Sequence, residues 1–179
     1  MKHFGTKVIE TNNLVLRPFK EEDAKEIYNG FRNQEKFLYY AHKEKITLKE
    51  QIKSLKGIDK KYKNKEYYNW LITLKDNTVI GAIHLNVFNY NESVEFNYAI
   101  DERYQNKGYM TEALLIIKDF CLNKMQVNRF FGGCEINNLP SKKVMEKCGL
   151  IHEGILRNNL LLRDGYHDMD IYSFINNRD

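Results

Sequence analysis

Residues 104–113, YQNKGYMTEA, join an apolar run ending in FNYAI (96–100) to an amphipathic run that begins at Met110. They read as the exit of a strand, a glycine-bearing loop and the entry of a helix. The first backbone N–H groups of a helix lack intrahelical partners, and the aligned peptide dipoles add positive potential there. A phosphate or pyrophosphate suits such a place. Gly108 lets the backbone turn beneath a ligand without a Cβ in the way, and Lys107 adds a charge beside it. A single glycine before a single helix is also the pattern of an ordinary turn, so the reading depends on its surroundings.

Upstream of the loop, YYNWLITL (67–74), VIGAIHLNVF (79–88) and ESVEFNYAI (92–100) are three β-rich runs separated by the turn signals Asp76-Asn77 and Asn89-Tyr90-Asn91. They predict an antiparallel meander. Downstream, Ala113, Ile116, Ile117, Phe120 and Cys121 fall on one side of a helix, and RFFGGCEI (129–136) reads as the next strand. Strand, loop, helix and strand in that order predict a locally parallel pair. Asn138 can cap a last helix, with Pro140 in its first turn and Gly149 at its end. ILRNNLLL (155–162) and DMDIYSFI (168–175), on either side of Arg163-Asp164-Gly165-Tyr166, then close the chain as a hairpin.

Near the start, LVLRPF (14–19) is a short strand stopped by Pro18, followed by acidic residues 21–23 and by Ala24, Ile27, Tyr28 and Phe31 at helical spacing. From Thr47 to Tyr62 the apolar residues Leu48, Ile52, Leu55, Ile58 and Tyr62 predict one amphipathic helix with a lysine-rich outer face. That face is either solvated or turned to an acidic partner or RNA. Tyr39, Tyr40 and His42 fall between the helices, in a loop that either shapes a substrate groove or plugs the core. The prediction is one α/β domain over residues 1–179, without repeats or linkers.

With 179 residues, 42% of them hydrophobic and 13% aromatic, the chain can bury a substantial core. A formal charge of +4 is too small to call for nucleic acid, although it favours anionic ligands. Cys121, Cys134 and Cys148 are widely spaced, without CxxC pairs, and read as reduced and packed. The five histidines have no i, i+4 pairing, so no metal site is expected. Residues 113–122, ALLIIKDFCL, are broken by Lys118 and Asp119 and too short to span a membrane. A soluble, cytoplasmic protein is expected.

The order Gln105, Asn106, Lys107, Gly108, Tyr109, Met110 resembles the acyl-CoA pyrophosphate loop of the GNAT superfamily of N-acetyltransferases, with Asn106 and Met110 standing where glycine or alanine is commoner. TNNLVLRPFKEEDA (11–24) resembles the opening of the ribosomal-protein N-terminal acetyltransferase branch. NLPSKKVMEKCGL (138–150) resembles the second cofactor motif, and Glu153-Gly154 followed by Arg157 again resembles the ribosomal branch. The resemblance implies a mixed, mostly antiparallel sheet of about seven strands flanked by about four helices, with acetyl-CoA as acyl donor. It also implies that the backbone around Ile100 pairs with pantetheine, that residues 105–111 from Gln105 to Thr111 hold the pyrophosphate, and that Asn138 and Ser141 sit near the thiol end.

Acetyl transfer to an amine needs a deprotonated nucleophile, a polarised thioester carbonyl and a stabilised leaving thiolate. Alternation puts Glu95, Asn97 and Ala99 on one face of their strand and Val94, Phe96 and Tyr98 on the other. Glu95 is either a base, acting directly or through water, or a solvent-facing ion-pair partner; the resemblance points to the base. Many members place a tyrosine seven residues after the motif asparagine, where Met145 stands here, so Ser141 is the candidate donor. Its hydroxyl can equally bond the helix start. Without a neighbouring histidine, Cys134 and Cys148 do not read as nucleophiles, which favours direct attack by the amine. A protein or peptide N-terminus, with an amine pKa of about 7.7–8.0, is easier to deprotonate than lysine at about 10.4. Polyamines and aminoglycoside-like amines are the alternative acceptors, a non-catalytic acyl-CoA-binding module is the alternative class, and a homodimer is permitted by exposed strand edges.

Overall fold

β3 (Tyr68–Leu74), buried on both faces from Trp70 to Thr73, β4 (Val79–Phe88), whose burial alternates from Ala82 to Asn86, and β5 (Ser93–Ile100) pair as the expected antiparallel meander, with Trp70 opposite Ile83 and Leu85 opposite Phe96. The computed structural model describes residues 1–177. A two-residue strand, β1 (Ile9–Glu10), and β2 (Leu14–Arg17) extend the meander on one side. On the other, helix α5 (Tyr109–Asp119) carries the chain over to β6 (Arg129–Glu135), which runs parallel to its neighbour, β5. The closing hairpin is β7 (Ile151–Leu162) and β8 (Gly165–Ile175), and β8 inserts between β6 and β7. The result is one mixed sheet in the order β1-β2-β3-β4-β5-β6-β8-β7. The eighth strand, β1, was invisible to periodicity because two residues carry none.

Each face of the sheet is covered. Leu14, Trp70, Val94, Phe96 and Phe130 pack against Ala113, Leu114 and Ile117 of α5 and Met145 of α6 (Leu139–Lys147). On the opposite face Leu71, Val79, Ala82 and Ala99 meet Ala24 and Ile27 of α1 (Ala24–Asn29), with Phe31, Leu55 and Ile58. Among the described residues no helix is long and apolar enough to cross a membrane.

Two early elements differ from expectation. Tyr39 and Tyr40 end a helix, α2 (Glu35–Tyr40), whose entry residue Gln34 makes no side-chain cap and so left no signal. The helix expected from Thr47 to Tyr62 is two, α3 (Leu48–Leu55) and α4 (Ile58–Lys61), divided at Gly57 with φ of 71°. α3 is rotated so that Leu48, Gln51 and Leu55 turn inward and Ile52 outward. Gln51 is buried and Ile52 is 53% exposed, the reverse of their polarity. Leu55 and Ile58, on either side of the break at Gly57, both reach the core.

Gly132 is set by packing. A Cβ there would lie 2.6 Å from two ring carbons of Phe96, which is held against Phe130 with centroids 4.7 Å apart. Gly132→Ala is expected to cost about 1–3 kcal/mol, as overpacked cores do. Urea denaturation reads this, and an unshifted midpoint would mean that the Phe96 ring can swing aside.

Candidate active site

β5 and β6 pair at only three registers: Ser93 with Arg129, Val94 with Phe130 and Glu95 with Phe131. Beyond these, residues 96–100 bond to β4 alone and residues 132–135 to β8 alone. The strands diverge into a wedge whose two walls present backbone N–H and C=O groups to each other. Backbone polar groups inside a sheet demand partners, so the wedge suits an extended ligand that carries amides of its own.

The loop at the wide end of the wedge follows Ile100. Asp101, fully buried, accepts the backbone N–H of Arg103 at 2.9 Å and starts a short 3-10 turn over Glu102–Tyr104. Asn106 has φ of 59° and Gly108 φ of 83°, and Gly108 is the residue before α5. A Cβ on Gly108 would meet no atom within 4 Å, so the loop is an open cradle. The first i→i−4 bond of α5 runs from Glu112 N to the Gly108 carbonyl at 3.0 Å, leaving the amides of Tyr109, Met110 and Thr111 without intrahelical acceptors. The Lys107 ammonium stands 5.1 Å from the Tyr104 ring centroid, beside the cradle. Met110 is turned into the core, so its bulk does not narrow the loop. Ile100 ends β5, and residues 105–111 follow it through the short turn at Glu102–Tyr104 into the start of α5.

The first turn of α6 carries the other motif residues. The Asn138 side-chain oxygen accepts from Ser141 N at 3.3 Å, the capping bond expected of an asparagine before Pro140. The opposite wall reaches this turn as well, since the Tyr98 hydroxyl donates to the Ser141 carbonyl at 3.3 Å.

Glu95 stands at the apex, half-buried, on the sheet face away from α5 and α6. It is held by a short row of side chains. His84 Nε2 bonds Asn86 Oδ1 at 3.0 Å, and Asn86 Nδ2 donates to Glu95 Oε2 at 2.9 Å. Asn86 is directly opposite Glu95 in the β4–β5 register, and counting outward from the turn at Asn89–Asn91 would have found it in the sequence. Also unanticipated is Glu135, at the end of β6 and 4% exposed, which accepts from Asn137 N at 2.8 Å and Asn137 Nδ2 at 2.9 Å. Beyond it, the Tyr39 hydroxyl bonds Asp164 of the β7–β8 turn at 3.1 Å, linking α2 to that hairpin.

All three cysteines are free and buried. Burial pushes the thiol of Cys134 up to about 12 and that of Cys148 up to about 11. Neither is an activated nucleophile at neutral pH. Among the described residues no group of histidine, cysteine and carboxylate side chains could hold a metal ion.

The wedge, the cradle and the apex carboxylate lie in one mixed α/β fold, and the acetyltransferase (GNAT) domain model matches residues 13–151. The chain belongs to this family and is an acetyltransferase. It is 25% identical to the probable N-acetyltransferase YjcK of Bacillus subtilis over 177 residues, 94% of this chain and 97% of that protein. It is 29% identical to the ribosomal-protein-serine acetyltransferase of Escherichia coli over 110 residues, 61% of this chain and 62% of that one. The spermidine N-acetyltransferase of Vibrio cholerae, solved with CoA and spermine, superposes with a TM-score of 0.78 at 20% identity, covering 93% of this chain and 97% of that one.

Proposed function

We propose that this enzyme transfers the acetyl group of acetyl-CoA to the α-amine of a protein or peptide N-terminus, by direct attack within a ternary complex. The observation that carries the reading is the end of β5–β6 pairing at Glu95 and Phe131, which opens a wedge with a carboxylate at its apex and an anion cradle at its mouth. Pantetheine amides fit the walls near Ile100, and the diphosphate fits the amides and charges of Gln105, Asn106, Lys107, Gly108, Tyr109, Met110 and Thr111. When bound, the thioester supplies the electrophilic acetyl group. Glu95, aimed by Asn86, takes the proton of the incoming amine from the far face of the sheet. Asn138 and Ser141 stand at the thiol end. The raised thiols of Cys134 and Cys148 speak against a covalent acetyl-enzyme. Unpaired cysteines fit a cytoplasmic setting.

The likeness to the E. coli ribosomal-protein acetyltransferase supports the α-amine acceptor, as does the lower demand that such an amine makes on one carboxylate. The likeness to the spermidine acetyltransferase favours a polyamine as the second reading. Thiol release measured over peptides with free N-termini, polyamines and aminoglycosides separates the two. Peptides with a free α-amine are expected to be turned over, and the same peptides N-terminally blocked but carrying lysine are not. Turnover confined to spermidine or spermine would replace the first reading by the second.

A further inference from the structure

Met145, at the α6 position where the family resemblance leads one to look for a tyrosine, is fully buried and carries no proton to share. A phenol reaches the same turn from the opposite wall. Tyr98 lies beyond the last β5–β6 pair, with its side chain on the α5 and α6 side. Its ring is stacked on Phe96 at 6.0 Å and 5°, and Phe96 is in turn pressed against Phe130 and Gly132. From this stack the hydroxyl meets the first turn of α6. Its bond to the Ser141 carbonyl, at 3.3 Å, is long for an O–H donor, so little is lost in exchanging it for a better acceptor.

We propose that the Tyr98 hydroxyl is the hydrogen-bond donor that receives the sulfur leaving group in the acetyl transfer. The proposal rests on the reading of the wedge as the acetyl-CoA cleft. As the C–N bond forms and the C–S bond breaks, the electron pair stays on sulfur. The proton lost by the amine goes to Glu95 and then to water. Sulfur departs as a thiolate bonded to the phenol and takes its own proton from solvent. Tyr98 keeps its proton throughout, because burial pushes its pKa upward, opposed only in part by the nearby Ser141 side chain. A neutral donor beside an anion is among the stronger hydrogen bonds available to a side chain.

Calorimetry with CoA and with desulfo-CoA, at pH 7 and pH 9.5, tests this without turnover. The wild-type enzyme is expected to prefer CoA by about tenfold at the higher pH, where the thiolate forms, as one hydrogen bond to a charged group allows. Tyr98→Phe should remove that preference, leave desulfo-CoA affinity within about twofold, and lower kcat by about tenfold at unchanged acetyl-CoA affinity. A wild-type enzyme that does not distinguish the two ligands at either pH overturns the proposal, whether or not the variant folds. Equal losses for both ligands in Tyr98→Phe would make Tyr98 a brace for α6 and would also overturn it. Failure of either ligand to bind at all would instead remove the cleft reading itself.

Discussion

Replacing Glu95 by glutamine is expected to lower kcat by about 10²–10³-fold while leaving acetyl-CoA affinity within about twofold, the signature of a lost general base. The separation follows from position. Glu95 stands on the face away from the cradle and from α5, so no cofactor contact depends on its charge. Glutamine keeps the size of the side chain and can still accept from Asn86 Nδ2, so the apex should stay folded. The deficit should narrow as pH rises past about 8, because an α-amine then loses its proton unaided. A merely structural glutamate would give a deficit independent of pH together with a lowered Tm. Turnover equal to wild type would remove Glu95 from the chemistry. Asn86→Ala should show a weaker form of the same pattern, since it frees the carboxylate to rotate but leaves it in place.

The elements that sequence displayed best were those whose pattern is local. The meander, the loop before α5 and the Asn138 cap each announce themselves within about ten residues, through alternation, a glycine or a capping side chain. What sequence concealed depends on contacts between elements. The wedge is a missing ladder, and no residue between 96 and 100 marks where pairing with β6 stops. α2 lacks a capping side chain, and α3 buries Gln51 while exposing Ile52, a choice made by how the helix seats against α1 and the sheet, not by hydrophobicity. The site divides along the same line. Gly108 and Asn138 were legible because backbone geometry demands those residue types. Asn86, His84 and Tyr98 were not, because asparagine, histidine and tyrosine are ordinary in strands and find these hydrogen-bond partners only once β4, β5 and α6 are placed together. Met110 shows the converse. It stands where the resembled loop more often carries glycine or alanine, yet in the fold its side chain is buried in the core.

Gly108→Val should abolish acetyl-CoA binding, with affinity falling by more than about 100-fold, since in the proposed reading the amides of residues 109–111 act together on the diphosphate and depend on the conformation before them. The reason is backbone and not space. A Cβ at Gly108 would meet no atom within 4 Å, so a side chain is not refused by packing. At φ of 83°, however, a β-branched residue is strained by about 1–3 kcal/mol, and the loop can relieve that strain by rotating its amides out of the cradle. Gly108→Asn separates the two causes, because asparagine tolerates left-handed backbone far better than valine. If conformation decides, the asparagine variant keeps most of its affinity and valine loses it. If both lose it equally, side-chain bulk at the open face obstructs the ligand. Unchanged affinity in the valine variant would mean that the diphosphate is held elsewhere, and the assignment of Gln105, Lys107 and the start of α5 would fall with it. Thermal denaturation of both variants without ligand supplies the control: the modest strain expected at one exposed turn cannot unfold a sheet packed on both faces, so a loss of binding at near-normal Tm is a loss of the cradle alone.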